Sequence, residues 1–221
     1  QNFAKIICQF SAMQHDLVAN FNVRPEKTII VNNPLDLKTI KKSANISEVQ
    51  LRQNSDDKRV QLVSVGRFRP EKRFDRLVEA IAVLDPEHYH LTCVGDGSEL
   101  ETVKAHVAAL GLTSQISFAG FQKNPYPYIQ AADALILSSD YEGAPNVVLE
   151  ALGLNIAVVT TPAKGGVAEM VAGHKRAVIA DALSAVSLGK AIEEAGKSGL
   201  FAKDTTPDNL IAEKHDAAAI T

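Results

Sequence analysis

The feature that most constrains the fold is an alternation between residues 60 and 180. Short runs rich in Val, Ile and Leu are separated by stretches of helical period. The runs lie at 60–65 (VQLVSV), 89–94 (YHLTCV), 115–119 (QISFA), 133–138 (DALILS), 156–160 (IAVVT) and 177–180 (AVIA). They are continuously apolar rather than alternating, as expected of strands buried on both faces. Between the first two, Phe74, Leu77, Val78, Ile81 and Leu84 recur at steps of three and four, which places one apolar stripe on a helix. Repeated βαβ units of this kind predict an α/β chain: a Rossmann-like open parallel sheet with helices on both faces.

The chain has 221 residues, 46% of them hydrophobic, enough for one substantial core or for one domain with part of a second. A formal charge of -3 argues against a nucleic-acid or anionic-membrane footprint, which needs an excess of Lys and Arg. No apolar run is long enough to span a bilayer, and no basic-then-apolar leader is present. The first residues, QNFAKIICQF, start in mid-element, which suggests a piece of a longer protein. Cys8 and Cys93 sit in apolar runs and read as reduced buried thiols of a cytoplasmic protein.

Ahead of the alternating region come KIICQFSAMQHDLVANF and TIIVNNPLDL, then a polar stretch over 41–59 with little periodicity, the candidate linker. After it, ALSAVSLGKAIEEAG and PDNLIAEKHDAA predict two closing helices.

In an open parallel sheet, ligands bind beyond the carboxyl ends of the strands, so the loops there matter most. After VQLVSV, the loop from Gly66 to Arg73 carries Arg67 and Lys72 at opposite ends. Gly66 permits a tight turn, and the two cations could reach one anion over the sheet edge, Arg through its planar fork and Lys as a point charge. Charge alone favours a solvated basic loop; position at a strand end narrows that gap. After YHLTCV, Gly95-Asp96-Gly97 begins like a dinucleotide fingerprint, but Leu100 stands where the third glycine belongs. A tight turn with Asp96 or Ser98 capping the next helix accounts for it.

The third loop follows DALILS and runs through Glu142, Gly143, Ala144 and Pro145. A helix starts near Pro145, with the N–H groups of Ala144, Asn146 and Val147 facing the sheet edge as an anion site. Glu142 precedes the turn and Glu150 lies about one and a half turns into the helix. That separation disfavours a proton-sharing dyad and suits two acceptors along an extended ligand. Singly, Glu142 reads as a helix-dipole partner and Glu150 as half of a surface ion pair. Gly165-Gly166 with Glu169 opens a further helix, as an anion contact or only as a turn. The histidines show no metal-like grouping, and His88-x-His90 reads as a solvated strand edge. No metal site, nucleophile elbow or Walker loop is found.

Taken together, VSVGRFRPEKRFDRLVEAI, VGDGSEL, ISFAGFQKNPYPYIQAADALILSSDYEGAPNVVLEAL and VVTTPAKGGVAEMV resemble, in order, the C-terminal donor-binding domain of the retaining GT-B glycosyltransferases of family 4. Glu142 and Glu150 have the spacing of that family's E-x7-E motif, and Arg67 and Lys72 that of its phosphate-binding Arg and Lys. The resemblance covers residues 60 to 182. It implies that Arg67 and Lys72 neutralise a nucleotide diphosphate, that Glu142 meets the transferred sugar and that Glu150 holds the ribose. Gly66 and the segment Gly143, Ala144, Pro145, Asn146 and Val147 would cradle phosphate and sugar, with Phe121 and Gln122 against the base. Catalysis by Glu142, Arg67 and Lys72 would then be electrostatic and metal-free.

The same resemblance divides the chain into a remnant of the N-terminal acceptor-side domain (1–40), a linker (41–59) and a nucleotide-sugar-binding domain (60–221). It implies a UDP-sugar donor, or a GDP-sugar, and a glycan or lipid-linked acceptor bound mainly by the rest of the N-terminal domain. The setting is cytoplasmic polysaccharide or lipopolysaccharide synthesis, at the inner membrane face, with any membrane contact made through that other half. Alternatives are a nucleotide-sugar-binding module without activity and a GT-B-like nucleotide-sugar epimerase. His15 is not assigned the histidine role of the family, since its surroundings differ. Arg73 stands where the family often has Gly, adding a cation near the phosphates. Ala157 replaces a usual Pro, and Asn155 replaces a Gly at a helix end where Asn can take the left-handed turn.

Overall fold

The computed structural model describes residues 4–46, 49–52, 56–203, 210, 211 and 215. The chain opens with a parallel pair, β1 (Ile6–Cys8) and β2 (Thr28–Ile30), joined by helix α1 (Ser11–Asn20). Helix α2 (Leu37–Ala44) then leads into the larger unit. That unit runs β3 (Val60–Val65), α3 (Phe74–Ala82), β4 (Tyr89–Val94), α4 (Leu100–Ala109), β5 (Ile116–Gly120), α5 (Tyr126–Ala131) and β6 (Ala134–Leu137). It continues through β7 (Tyr141–Glu142), α6 (Asn146–Gly153), β8 (Ala157–Thr160), β9 (Lys164–Gly165), α7 (Val167–Val171), β10 (Ala177–Ile179) and α8 (Ala185–Lys197).

Six of these strands form one parallel sheet in the order β10-β8-β6-β3-β4-β5. Adjacent residues of a strand point to opposite faces, so Leu62 and Val63 enter different cores. On one face Leu62, Leu91 and Ile136 meet α3, α4 and α8 through Leu77, Val103 and Ile192. On the other, Val63, Leu135 and Val158 meet α5 and α6 through Ile129, Leu149 and Leu152. Burial on both faces is what the continuous apolar runs require. Cys8 and Cys93 are buried and unpaired, and burial pushes the Cys93 thiol well up.

Two expectations change. Residues 41–44 of the predicted linker are the end of α2, whose start is capped by Asp36 Oδ1 accepting from Thr39 N at 3.0 Å. Ile40 and Ala44, four apart, are its buried residues, and so short an apolar stripe is easily lost among Lys38, Lys41 and Lys42. His90 is not a solvated edge residue: it is buried on β4, which lies between β3 and β5, its Nε2 2.9 Å from Ser117 Oγ, and burial lowers its pKa. The predicted final helix PDNLIAEKHDAA lies outside the described residues except for Leu210, Ile211 and His215. Among the described residues no helix is long and apolar enough to cross a membrane.

Candidate functional site

The chain proceeds from β3 to β4 and β5 on one side of the sheet, then returns to build β6, β8 and β10 on the other. Strands β3 and β6 are therefore neighbours at the point where the order reverses, and a crevice opens beyond their carboxyl ends. The loop after β3 supplies Lys72 to this crevice, and the segment after β6 supplies Glu142. Lys72 Nζ lies 2.6 and 2.7 Å from the two carboxylate oxygens of Glu142, which also accepts from Ser139 Oγ at 2.6 Å. Glu142 is only 5% exposed. Lys72 thus arrives already paired, whereas the sequence has Arg67 and Lys72 both reaching for one anion. Arg67 has no ion-pair or hydrogen-bond partner for its side chain among the described residues.

The backbone around Glu142 is held by close loop packing. β7 and β9 pair in parallel, Glu142 opposite Gly165. Gly165 has φ +112°, and a Cβ there would lie 1.9 Å from Glu142 O; one at Gly166 would lie 2.6 Å from Gly143 O. The Gly165-Gly166 pair lets the neighbouring turn back the Glu142 loop, a role that neither sequence reading foresaw. Gly95 and Gly97 do the same for the first loop, since their Cβ atoms would meet Gly66 O at 1.9 Å and Phe68 O at 2.4 Å. The expected caps are not made: Asp96 Oδ1 accepts from Gly97 N, and Glu99, not Asp96 or Ser98, precedes α4.

Arg73 also departs from expectation. It takes a left-handed conformation, φ 51° and ψ 48°, at the start of α3, and its guanidinium is gripped by two carboxylates instead of being offered to a ligand. Its Nη2 lies 2.9 Å from Asp75 Oδ2 and its Nη1 3.0 Å from Asp140 Oδ2. Beside it, Arg76 is 4% exposed and donates to Ser138 O at 2.8 Å and to Asp140 Oδ1 at 2.5 Å. Burial pushes the Asp140 carboxyl up, but hydrogen bonds from Arg76 and Arg73 outweigh it and leave the group below the usual carboxylate range. Asp140 N donates to Glu71 O, and Ser138 Oγ donates to Lys72 O. The two loops are therefore stapled by main chain and side chain on both sides of the Lys72–Glu142 pair.

Over the ends of β3, β4 and β5 lies an open cleft of about 580 Å³, bordered by Gly66, Arg67, Gly95, Gly97, Phe121 and Gln122. Phe121 is 73% exposed, and Gln122 is fixed by donating from Nε2 to Ala119 O at 2.8 Å. On the other side of the crevice, Gly143 and Ala144 turn the chain into Pro145, which precedes the first helical residue, Asn146. The N–H groups of Asn146 and Val147 fall ahead of the first bond within α6 and are directed out of its N-terminus. Asn146 Oδ1 accepts from Asn33 Nδ2 at 2.6 Å, and Asn33 Oδ1 accepts from Gln9 Nε2 at 2.7 Å, tying this turn to the first two strands. Ser11, at the start of α1, donates from N at 2.8 Å and from Oγ to Glu169 of α7.

Glu150, one turn further into α6, has no cation. The single hydrogen bond to its carboxylate among the described residues is a long one, 3.4 Å, from Tyr126 OH. Burial pushes its carboxyl up, only partly offset by that bond. Glu142 and Glu150 share no partner, which fits two separate acceptors better than a dyad. Sequence reasoning missed Ser139, Asp140, Arg76, Tyr126 and Asn33. The detectable signal was Asp140, an acid two residues before Glu142 at a strand end; its arginine partners are set by topology. His15 is exposed on α1.

The model of the family described as glycosyl transferases group 1 matches residues 46–211. A Campylobacter jejuni protein named N-acetylgalactosamine-N,N'-diacetylbacillosaminyl-diphospho-undecaprenol 4-alpha-N-acetylgalactosaminyltransferase is 33% identical over 155 residues, which is 70% of this chain and 40% of that protein. A Salmonella typhimurium lipopolysaccharide 1,6-galactosyltransferase is 29% identical over 64% of this chain and 38% of its own length. The chain thus spans less than half the length of these relatives. Anabaena Alr3699/HepE, solved in complex with UDP, superposes with a TM-score of 0.83 at 20% identity, covering 98% of this chain and 61% of that one. The lipopolysaccharide outer core galactosyltransferase WaaB, in its apo form, gives 0.72 at 21% identity over 97% of this chain and 58% of its own. These superpositions carry the fold.

Proposed function

Because the chain belongs to the group 1 glycosyl transferases, we propose that it is the donor-binding part of an enzyme that moves a sugar, with retention, from a nucleotide diphosphate to a glycan or lipid-linked acceptor. The observation that carries this reading is the switch crevice: a buried carboxylate paired to Lys72 across it, beside a cleft walled by an unpaired Arg67. Such a site suits a ligand with anionic oxygens in its middle and hydroxyl donors at its ends. On this reading Phe121 and Gln122 lie against the base, Glu150 accepts from the ribose, and Arg67 with the α6 N-terminus meets the diphosphate. Glu142 accepts from the sugar. The contribution to rate is electrostatic, since cations and oriented N–H groups stabilise charge growing on the departing diphosphate.

Relatives named for lipopolysaccharide and undecaprenol-linked glycans support a cell-surface polysaccharide or lipopolysaccharide as the product; synthesis in the cytoplasm at the inner face of the membrane is part of the same proposal. The UDP complex of the Anabaena neighbour supports a UDP-sugar as donor. The division of the chain into a remnant of an acceptor-side domain and a donor-binding domain follows the same reading. Calorimetric titration with UDP, GDP and ADP tests it: UDP binds, and binding weakens on Glu150→Ala. A folded chain that binds none of the three nucleotides would overturn it.

A further inference from the structure

Lys72 and Glu142 are already engaged with each other, with two short contacts to a carboxylate that is 5% exposed. An anion entering the crevice must therefore compete with Glu142 for Lys72. A free nucleotide offers Lys72 phosphate oxygens but offers Glu142 nothing. Drawing Lys72 away would leave a buried carboxylate with Ser139 Oγ as its remaining donor, and a buried charge stripped of its partner is costly. A ligand that carries hydroxyl groups beyond its phosphates supplies both halves: phosphate oxygens for Lys72 and hydroxyl hydrogens for Glu142. Arg67, with no carboxylate against it, meets either ligand equally.

We propose that the Lys72–Glu142 pair is an internal competitor that makes the site prefer an intact sugar nucleotide to the spent nucleotide, with Glu142 as the specificity-determining residue. The proposal rests on the donor-site reading above. Once the sugar has left, Glu142 closes again on Lys72 and loosens the hold on the product diphosphate. The pair is rigidly presented, because Asp140, Ser138 and Gly165 fix both of its loops, so the competition is a property of the fold and not of a side chain searching for a partner.

The test is calorimetry on the full chain with UDP and with UDP-glucose, UDP-galactose and their N-acetylated counterparts. Glu142→Gln should bind UDP about tenfold tighter and should bind whichever UDP-sugar the unaltered protein prefers about tenfold weaker, a pair of effects with opposite signs. Simple removal of a negative charge would also tighten UDP. The substitution is therefore repeated in a Lys72→Met background, where the gain should vanish because there is no lysine to release. A gain that persists there, or a folded Glu142→Gln variant that binds UDP no tighter, overturns the proposal. If Glu142→Gln fails to fold, Glu142→Asp, whose shorter carboxylate withdraws from Lys72, must show the same tightening of UDP. Failure of the unaltered chain to bind UDP, GDP or ADP would instead bring down the donor-site reading itself.

Discussion

Replacing Asp140 by Ala should be among the more damaging changes that leave the core untouched. Its carboxylate holds two arginines, and they are not equivalent. The Arg76 side chain is 5% exposed and, among the described residues, has only Ser138 O besides Asp140; the Arg73 side chain is 34% exposed and keeps Asp75. Breaking a fully buried pair from one side costs about 3–5 kcal/mol. Water reaches this one from the Asp140 side, which discounts the figure to about 2–3 kcal/mol, and the exposed Arg73 contact adds at most about 1 kcal/mol. Together that is about 2–4 kcal/mol, for a chain of this size a fall in Tm of roughly 4–16 °C. Arg73→Gly is the control. It loses two exposed pairs but relieves a left-handed arginine, worth about 1–2 kcal/mol, so its net effect should lie within about 1 kcal/mol of zero. Urea unfolding reads both, with Cm shifting and m unchanged. Asp140 is depressed in the fold, so its contribution is present above the ordinary value of 3.8 and is lost as pH falls through the lower folded value. The Asp140→Ala penalty should therefore shrink in that acid window. The reasoning is refuted if Asp140→Ala costs under about 1 kcal/mol, or if Arg73→Gly costs as much.

Glu150 runs the other way. Its carboxyl is raised above 4.5 by burial, so stability from the protonated form is present below pH 4.5 and is lost as pH rises through the folded value. Glu150→Gln should melt higher than the unaltered protein at pH 7.5, by on the order of 2–4 °C, with the advantage gone in melts at pH 4, while calorimetry shows weaker UDP binding. Gly165→Ala puts a Cβ 1.9 Å from Glu142 O at a φ of +112° and should cost about 3 kcal/mol or more by urea unfolding. Gly143→Ala, with nothing within 4 Å, should cost less than about 1 kcal/mol. Glu169→Ala removes the acceptor for Ser11 N and Oγ; a loss of about 1–2 kcal/mol and faster hydrogen exchange at the start of α1 should follow.

The strands could be read to within about a residue because each is a continuous apolar run closed by polar or small residues, and burial on both faces leaves no other placement for such runs. The short strands β7 and β9 could not. Each is two residues long and exists only because Gly165 allows the backbones to meet. The site divides along the same line. Arg67, Lys72, Glu142 and Glu150 stand out as charges in small-residue loops or beside them. What each one touches depends on which strands are neighbours, and the adjacency of β3 and β6 brings together residues about seventy apart in sequence. Arg73 is the sharpest example: its position suggested a ligand contact, but Asp75 and Asp140 claim it. The burial of His90 is not legible in the sequence, because a histidine in a strand gives no local sign of whether that strand is flanked on both sides, as β4 is.

The distribution of unmet charge around the crevice itself argues for the shape of the ligand. Lys72 and Glu142 satisfy each other, and Arg73, Arg76 and Asp140 form a closed set with Asp75. Among the described residues, Arg67, on the cleft wall, and Glu150, half-buried beside Tyr126, are charged groups of the site left without a strong partner. A fold gains nothing by leaving a half-buried carboxylate against a single phenol at 3.4 Å, and substitution by an amide would be cheaper. A ligand that ends both deficits must bring an anion to Arg67 and a neutral hydrogen-bond donor to Glu150. It must also reach the Lys72–Glu142 pair, where the same combination of anion and hydroxyl is needed to part the two. A diphosphate flanked by two polyhydroxylated rings has that order of groups. A bare nucleotide lacks the second ring, and a free sugar lacks the anion, so each should satisfy one end of the site at most.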